Sequence, residues 1–174
     1  MEKILEKLSS YNIFNYLFPG VVFCVVADRY LSIPLLQDSI VNGLFLYYFI
    51  GLVISRFGSV AIEPVLKKTG FVKFTEYHDF VRAAKEDPKI ELLSESNNTY
   101  RTLMSAIFIL CIVAIGAHMA NNNPNFLEFV KYLILPGLVL LFGLSYKKQT
   151  EYISKRVSAA LKEKERTEPS GDKK

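Results

Sequence analysis

The stretch IVNGLFLYYFIGLVISRFGSVAI, residues 40–62, contains Arg56 as its single charged residue. A helix that crosses a bilayer core about 30 Å thick needs ~20 mostly apolar residues. Three more apolar runs, of comparable length, occupy residues 13–31, 103–120 and 126–146. Any one run also suits a buried helix of a soluble protein, but four in 174 residues, with charges at their edges, favour a membrane protein. The sequence predicts an all-α, polytopic membrane protein with four transmembrane helices.

The positive charges lie on one side of this predicted arrangement. Of the 21 Lys and Arg residues, all but Arg29 and Lys131 fall in residues 1–10, 55–102 and 147–174. Cytoplasmic loops of membrane proteins carry such an excess. We therefore expect a multi-pass protein of the inner (cell) membrane with both termini and the long middle segment in the cytoplasm. Topogenic charge also accounts for the pI near 9.0, so we expect no direct nucleic-acid binding.

The connections between the runs divide the chain into four parts. LSIPLLQDS and NNNPN are short outer links, and short links join antiparallel neighbours. Residues 1–62 are predicted to form a first transmembrane hairpin, and residues 103–146 a second. Residues 63–102 form a cytosolic helical segment, and residues 147–174 a basic helical tail with a disordered end.

Two cytosolic stretches have helical patterns. FTEYHDFVRAAKEDP, residues 74–88, reads as a helix that Thr75 caps and Pro88 stops, and KIELLSESNNTYRTL then leads into the third run as a helical extension. In the tail, the spacing of the apolar side chains predicts a narrow seam on a charged helix. This seam, a candidate for docking a partner protein, consists of Ile153, Val157 and Leu161.

Two apolar runs share a Pro-Gly pair, in YNIFNYLFPG at residues 11–20 and KYLILPGLVL at residues 131–140. Proline inside a helix removes a backbone hydrogen bond and kinks the chain, and glycine lets a neighbouring helix pack closely. Pro19–Gly20 and Pro136–Gly137 are therefore candidate packing or hinge positions near mid-membrane. Asn15 and Asn42 are candidates for hydrogen bonds between helices, of about 1 kcal/mol each.

Known catalytic, metal-binding and cofactor motifs are absent from the sequence. The two histidines, His78 and His118, fall on opposite sides of the predicted membrane and cannot share a metal. We expect a protein that is not an enzyme and binds no cofactor. Three functions stay open: a membrane sensor or scaffold that self-associates and engages a cytosolic partner, a small channel or pore-forming effector, and, less favoured, a small-solute carrier.

In size and arrangement the chain resembles the membrane subunit of the bacterial Kiwa anti-phage defence system. YNIFNYLFPG and DPKIELLSESNNTYRTL carry this resemblance. It implies a homo-oligomeric sensor of infection, a tetramer, in a bacterial inner membrane. It also implies a soluble, DNA-binding partner subunit that acts on phage DNA. No motif of the family assigns a role to an individual residue of this sequence.

Overall fold

The computed structural model describes the backbone of residues 12–122 and 124–167. It describes their side chains as well, except those in 120–131, 143, 153 and 159–167. The described chain is all-helical, as predicted, and contains no strand. Its helices are α1 (Ile13–Leu31), α2 (Ile40–Lys68), α3 (Tyr77–Glu86), α4 (Lys89–Asn122) and α5 (Pro124–Thr167).

Three helices are long and apolar enough to cross a membrane: α1, α2 and the segment Lys89–Met119 of α4. Helices α1, α2 and α4 contain the first three predicted spans. The fourth predicted span, residues 126–146, lies within α5, and many of its side chains are outside the described residues. The count of four spans and their arrangement as two hairpins stay predictions.

Helix α1 begins with a π-helical segment, Ile13–Leu17, and continues as an α-helix over Phe18–Leu31. The Phe18 N–H donates to the Ile13 carbonyl oxygen, which closes the wider turn. Pro19 follows directly, inside the continuous helix, so its missing N–H falls where the π-helical segment gives way to the α-helix. The first Pro-Gly pair is therefore placed at a change of helix type.

Helix α2 also changes type near its polar end. Ser39 caps the helix by accepting a hydrogen bond from the Asn42 N–H at 3.4 Å. The α-helix Ile40–Phe57 passes into a π-helical segment, Gly58–Ile62, and then into Glu63–Lys68.

Glycines permit close packing between α1 and α2. A Cβ atom added to Gly20 would collide with the Tyr47 carbonyl oxygen, and one added to Gly51 with the Tyr16 carbonyl oxygen. The Tyr16 ring also packs edge-on against Tyr48, with 5.6 Å between ring centroids. Positions advance along α1 as they recede along α2, so this pair of helices runs antiparallel.

Helix α4 packs against this pair. Phe57 and Phe108 stack with 6.4 Å between ring centroids, and Ala106 and Leu110 are buried. The helical extension into the third apolar run is confirmed, because α4 is continuous from Lys89 to Asn122.

Helix α3 differs from its prediction in detail. It begins at Tyr77, and the residue before it, Glu76, makes no side-chain capping bond, so the cap predicted at Thr75 is wrong. The buried residue of the helix is Val81. Helix α3 packs against α5, where Tyr152 meets Tyr77 with 6.0 Å between ring centroids.

Candidate functional site

A buried carboxylate joins three helices at the polar end of α2. The Glu63 side chain is 6% exposed and contacts Lys67 of its own helix at 2.8 Å. It also contacts Arg101 of α4 at 2.5 Å and Lys148 of α5 at 3.3 Å. We call these four residues the Glu63 cluster.

Local sequence explains how α2 presents this carboxylate. Lys67 is four residues after Glu63, so the two side chains lie on the same face of the helix. The π-helical segment Gly58–Ile62 ends directly before Glu63, and Gly58 lets α4 approach. A Cβ atom added to Gly58 would collide with the Ser105 hydroxyl. Close packing here brings Arg101, one turn before Ser105, within reach of Glu63.

Lys148 ties α5 to the same point. Its Nζ donates to the Ser59 carbonyl oxygen and, at 3.0 Å, to the Ser59 Oγ. Burial lowers the pKa of Lys148, and the nearby Glu63 carboxylate opposes that change. Desolvation thus disfavours the charged form of Lys148, and attraction to the Glu63 carboxylate favours it.

Tyr152 extends the cluster towards α3. Its ring centroid lies 5.8 Å from the Lys148 Nζ, within the range of a cation–π interaction. Burial raises the pKa of Tyr152, and the Glu63 carboxylate raises it further. Because Tyr152 also packs on Tyr77, the cluster connects α2, α4 and α5 with α3.

The Glu63 cluster has a surplus of positive charge. Three cations surround one carboxylate, which leaves a formal excess of two. Among the described residues, the buried Arg101 Nε has no hydrogen-bond partner. The three cations are partly exposed, so the cluster presents positive charge at its accessible side.

A polar seam continues from the cluster into the apolar part of the structure. Thr102 shares a hydrogen bond with Ser55 at 3.3 Å, and Thr99 shares one with Asn15 at 3.4 Å. The shorter bonds of the two threonine hydroxyls, at 2.8 and 3.1 Å, go to carbonyl oxygens of α4 itself. Asn15 and Thr102 are almost fully buried. The bonds to Ser55 and Asn15 connect α4 to α2 and to α1, and the seam lies among the three helices.

The predicted packing residues have different surroundings. Pro19 and Gly20 are buried between α1 and α2, whereas Pro136 and Gly137 are exposed, and a Cβ atom added to Gly137 would meet nothing within 4 Å. Asn42 is exposed and participates in the helix cap through its backbone N–H.

The predicted docking seam is described at one position. Val157 is 53% exposed on α5. The side chains of Ile153 and Leu161 lie outside the described residues. The structure thus brings Asn15 and the Pro19–Gly20 pair into the helix contacts, and leaves Pro136, Gly137 and Val157 on the surface.

Sequence reasoning missed the Glu63 cluster. Glu63 directly follows the apolar run 40–62, and Lys148 follows the run 126–146, so the sequence alone indicates only charges at the edges of predicted spans. The spacing of Glu63 and Lys67 is the one local signal for the cluster. Arg101 and Lys148 contact Glu63 across 38 and 85 residues of chain, and no local pattern encodes such pairs.

The described fold is that of an all-helical protein with three helices able to span a membrane. A comparison with protein-family models, curated proteins and solved structures finds no match to this chain.

Proposed function

We propose that the chain is a membrane-embedded sensor and scaffold that self-associates and couples a membrane event to a cytosolic partner protein. It would have four spans in two antiparallel hairpins, in a bacterial inner membrane, with both termini in the cytoplasm. The resemblance to the Kiwa membrane subunit suggests phage infection as the event and a DNA-binding protein as the partner.

The observation that carries this proposal is the continuity of two long helices across the change from apolar to polar sequence. Helix α4 has 34 residues and α5 has 44. At 1.5 Å per residue these correspond to about 51 Å and about 66 Å, well beyond a bilayer core of about 30 Å. A displacement of either helix within the membrane would therefore be carried into its polar half.

The Glu63 cluster supports coupled movement of these helices. Arg101 of α4 and Lys148 of α5 share one carboxylate of α2. Because Tyr152 packs on Tyr77, a shift of α5 would also move α3. A membrane event that changes the spacing of the spans would thus alter the polar surface offered to a partner.

Exposed apolar side chains on α5 suit self-association. Tyr132, Leu135 and Val139 are all largely exposed and, at about 3.6 residues per turn, lie on one face of α5. We propose that a second copy packs on this face, and that lipid covers the remainder.

A small channel or pore-forming effector is the alternative. The polar seam of Asn15, Ser55, Thr99 and Thr102 favours it, because polar groups inside an apolar bundle often mark a pathway. The residues of the polar seam are hydrogen-bonded to one another, which favours a structural role for them. Depolarisation of the membrane on expression would support the channel.

The tail offers the sharpest test of partner coupling. We expect the full-length protein, purified from its native host, to recover a defined soluble protein. Val157→Asp places a charge on the exposed docking seam and should abolish this recovery at unchanged membrane levels. Ser158→Asp adds the same charge at the neighbouring exposed position and should retain it.

Equal recovery by the parent and both variants would reject docking at the seam. Depolarisation without any recovered partner would favour the channel.

A further inference from the structure

The cations of the Glu63 cluster are accessible while its carboxylate is closed off. Side-chain exposure is 40% for Lys67, 20% for Arg101 and 24% for Lys148, against 6% for Glu63. An approaching ligand therefore meets ammonium and guanidinium groups that one carboxylate neutralises only in part. Their donors are held together by Glu63 before any ligand arrives.

Exposed aromatic side chains flank this charge. Phe71 is 78% exposed and Phe74 is 53% exposed, in the turn that follows α2. The Lys67 Nζ lies 4.1 Å from the centroid of the Phe74 ring. Gly70, with a φ of 76°, allows the chain to reverse here. Aromatic rings beside cations are typical of the membrane–water interface.

We propose that the Glu63 cluster binds a phosphate group, and that the headgroup of an anionic phospholipid supplies it. Arg101 presents a planar guanidinium, which matches phosphate geometry, and Lys67 and Lys148 add point charges. The inference rests on the proposed function in one respect, the position of this end of α2 at the cytosolic surface of the membrane.

A bound phosphate would adjust the contacts between helices. It would share Arg101 and Lys148 with Glu63, and these two cations belong to α4 and α5. Anionic lipid near the cluster would thus balance its surplus charge and stabilise the packing of three helices. Lipid composition becomes an input to the proposed sensor.

The test measures lipid binding to the full-length protein in a neutral detergent by native mass spectrometry. Phosphatidylglycerol is titrated as the anionic lipid, phosphatidylcholine as a zwitterionic control, and inorganic phosphate as the soluble source. We expect saturable binding of phosphatidylglycerol in preference to phosphatidylcholine. Lys148→Gln and Lys67→Gln should each weaken this binding about fivefold, the effect of removing one cation near a lipid surface.

Neighbouring lysines provide matched controls. Lys147→Gln and Lys68→Gln remove the same charge one residue away, at exposed positions, and should leave the affinity unchanged. Equal weakening by the controls, or no preference for phosphatidylglycerol and no binding of inorganic phosphate, overturns the proposal. If Lys148→Gln fails to fold, the comparison of Lys67→Gln with Lys68→Gln decides.

Inorganic phosphate distinguishes the two sources. If it binds with the same dependence on Lys67 and Lys148 while phosphatidylglycerol shows no preference, the phosphate site stands and its source is soluble. The measurement uses neither a partner protein nor an infection. A negative result therefore leaves the proposed function in place, and equal partner recovery by the parent, Val157→Asp and Ser158→Asp, which would reject docking, leaves this inference in place.

Discussion

At the scale of single residues, Glu63 has the largest number of charged contacts that the structure describes. Its carboxylate receives Lys67, Arg101 and Lys148 from three helices. Removing one partner of a buried ion pair is costly because the other charge is left without compensation. Replacing Glu63 leaves two poorly exposed cations, Arg101 and Lys148, without a compensating negative charge.

We expect Glu63→Gln to lower the free energy of unfolding by about 3 kcal/mol. Lys67→Gln should cost less than about 1 kcal/mol, because Lys67 is 40% exposed and water screens its pair. Unfolding followed by circular dichroism during titration with a denaturing detergent measures both values. Equal losses in the two variants would contradict the central position given to Glu63.

The lysines show what the sequence reveals at this scale. Lys147 and Lys148 have the same charge, the same helix and nearly the same sequence context. In the structure Lys147 is exposed, and Lys148 contacts Ser59 and Glu63. Side-chain direction around α5 separates them, and it depends on where α5 packs against α2. The sequence predicts the charge of this end of the molecule but not the cluster.

At the scale of elements, the repeated Pro-Gly pair is two different features. Pro19–Gly20 follows a π-helical segment and lies against α2. Pro136–Gly137 lies inside α5 and is exposed. Composition predicted that α1 and α2 exist, since each is a long apolar run. It did not predict the π-helical segments, whose extra residue per turn leaves no periodic signal in so short a stretch.

We expect Gly20→Ala to destabilise the protein by about 2 kcal/mol, because the new methyl group meets the Tyr47 carbonyl oxygen and forces α1 away from α2. Gly137→Ala has open space and should be neutral or stabilising in the monomer, since alanine favours helix. Unfolding midpoints in a detergent that keeps the protein monomeric measure both effects. An equal loss of stability in Gly137→Ala and Gly20→Ala would show that the surface around Gly137 is in contact with other residues in that detergent.

At the scale of the whole molecule, the charge and hydropathy of the sequence predict the helical class and the apolar helices, but they do not predict which helices contact one another. The all-α class and three apolar helices follow from the length and composition of the runs. The order in which helices touch does not, because Asn15 meets Thr99 across 84 residues of chain. Short links suggest antiparallel neighbours, and the α1–α2 pair has that direction.

The orientation of the whole molecule is open to a direct test. The bias of Lys and Arg predicts that Asn97, exposed on the polar half of α4, is cytosolic and that Asn122, at the end of α4, lies outside. Between them, α4 contains the apolar segment of membrane length. In a background with Cys24→Ala and Cys111→Ala, a single cysteine would be placed at either position.

In intact cells we expect a membrane-impermeant thiol reagent to label Asn122→Cys and to leave Asn97→Cys unmodified. After permeabilisation both should react, which controls for burial of the thiol. The distribution of charge predicts this difference, because segments rich in lysine and arginine, such as the one around Asn97, stay on the cytoplasmic side. Labelling of Asn97→Cys alone in intact cells would show that the topology is the opposite of the predicted one. The Glu63 cluster and the docking seam would then lie outside the cytoplasm.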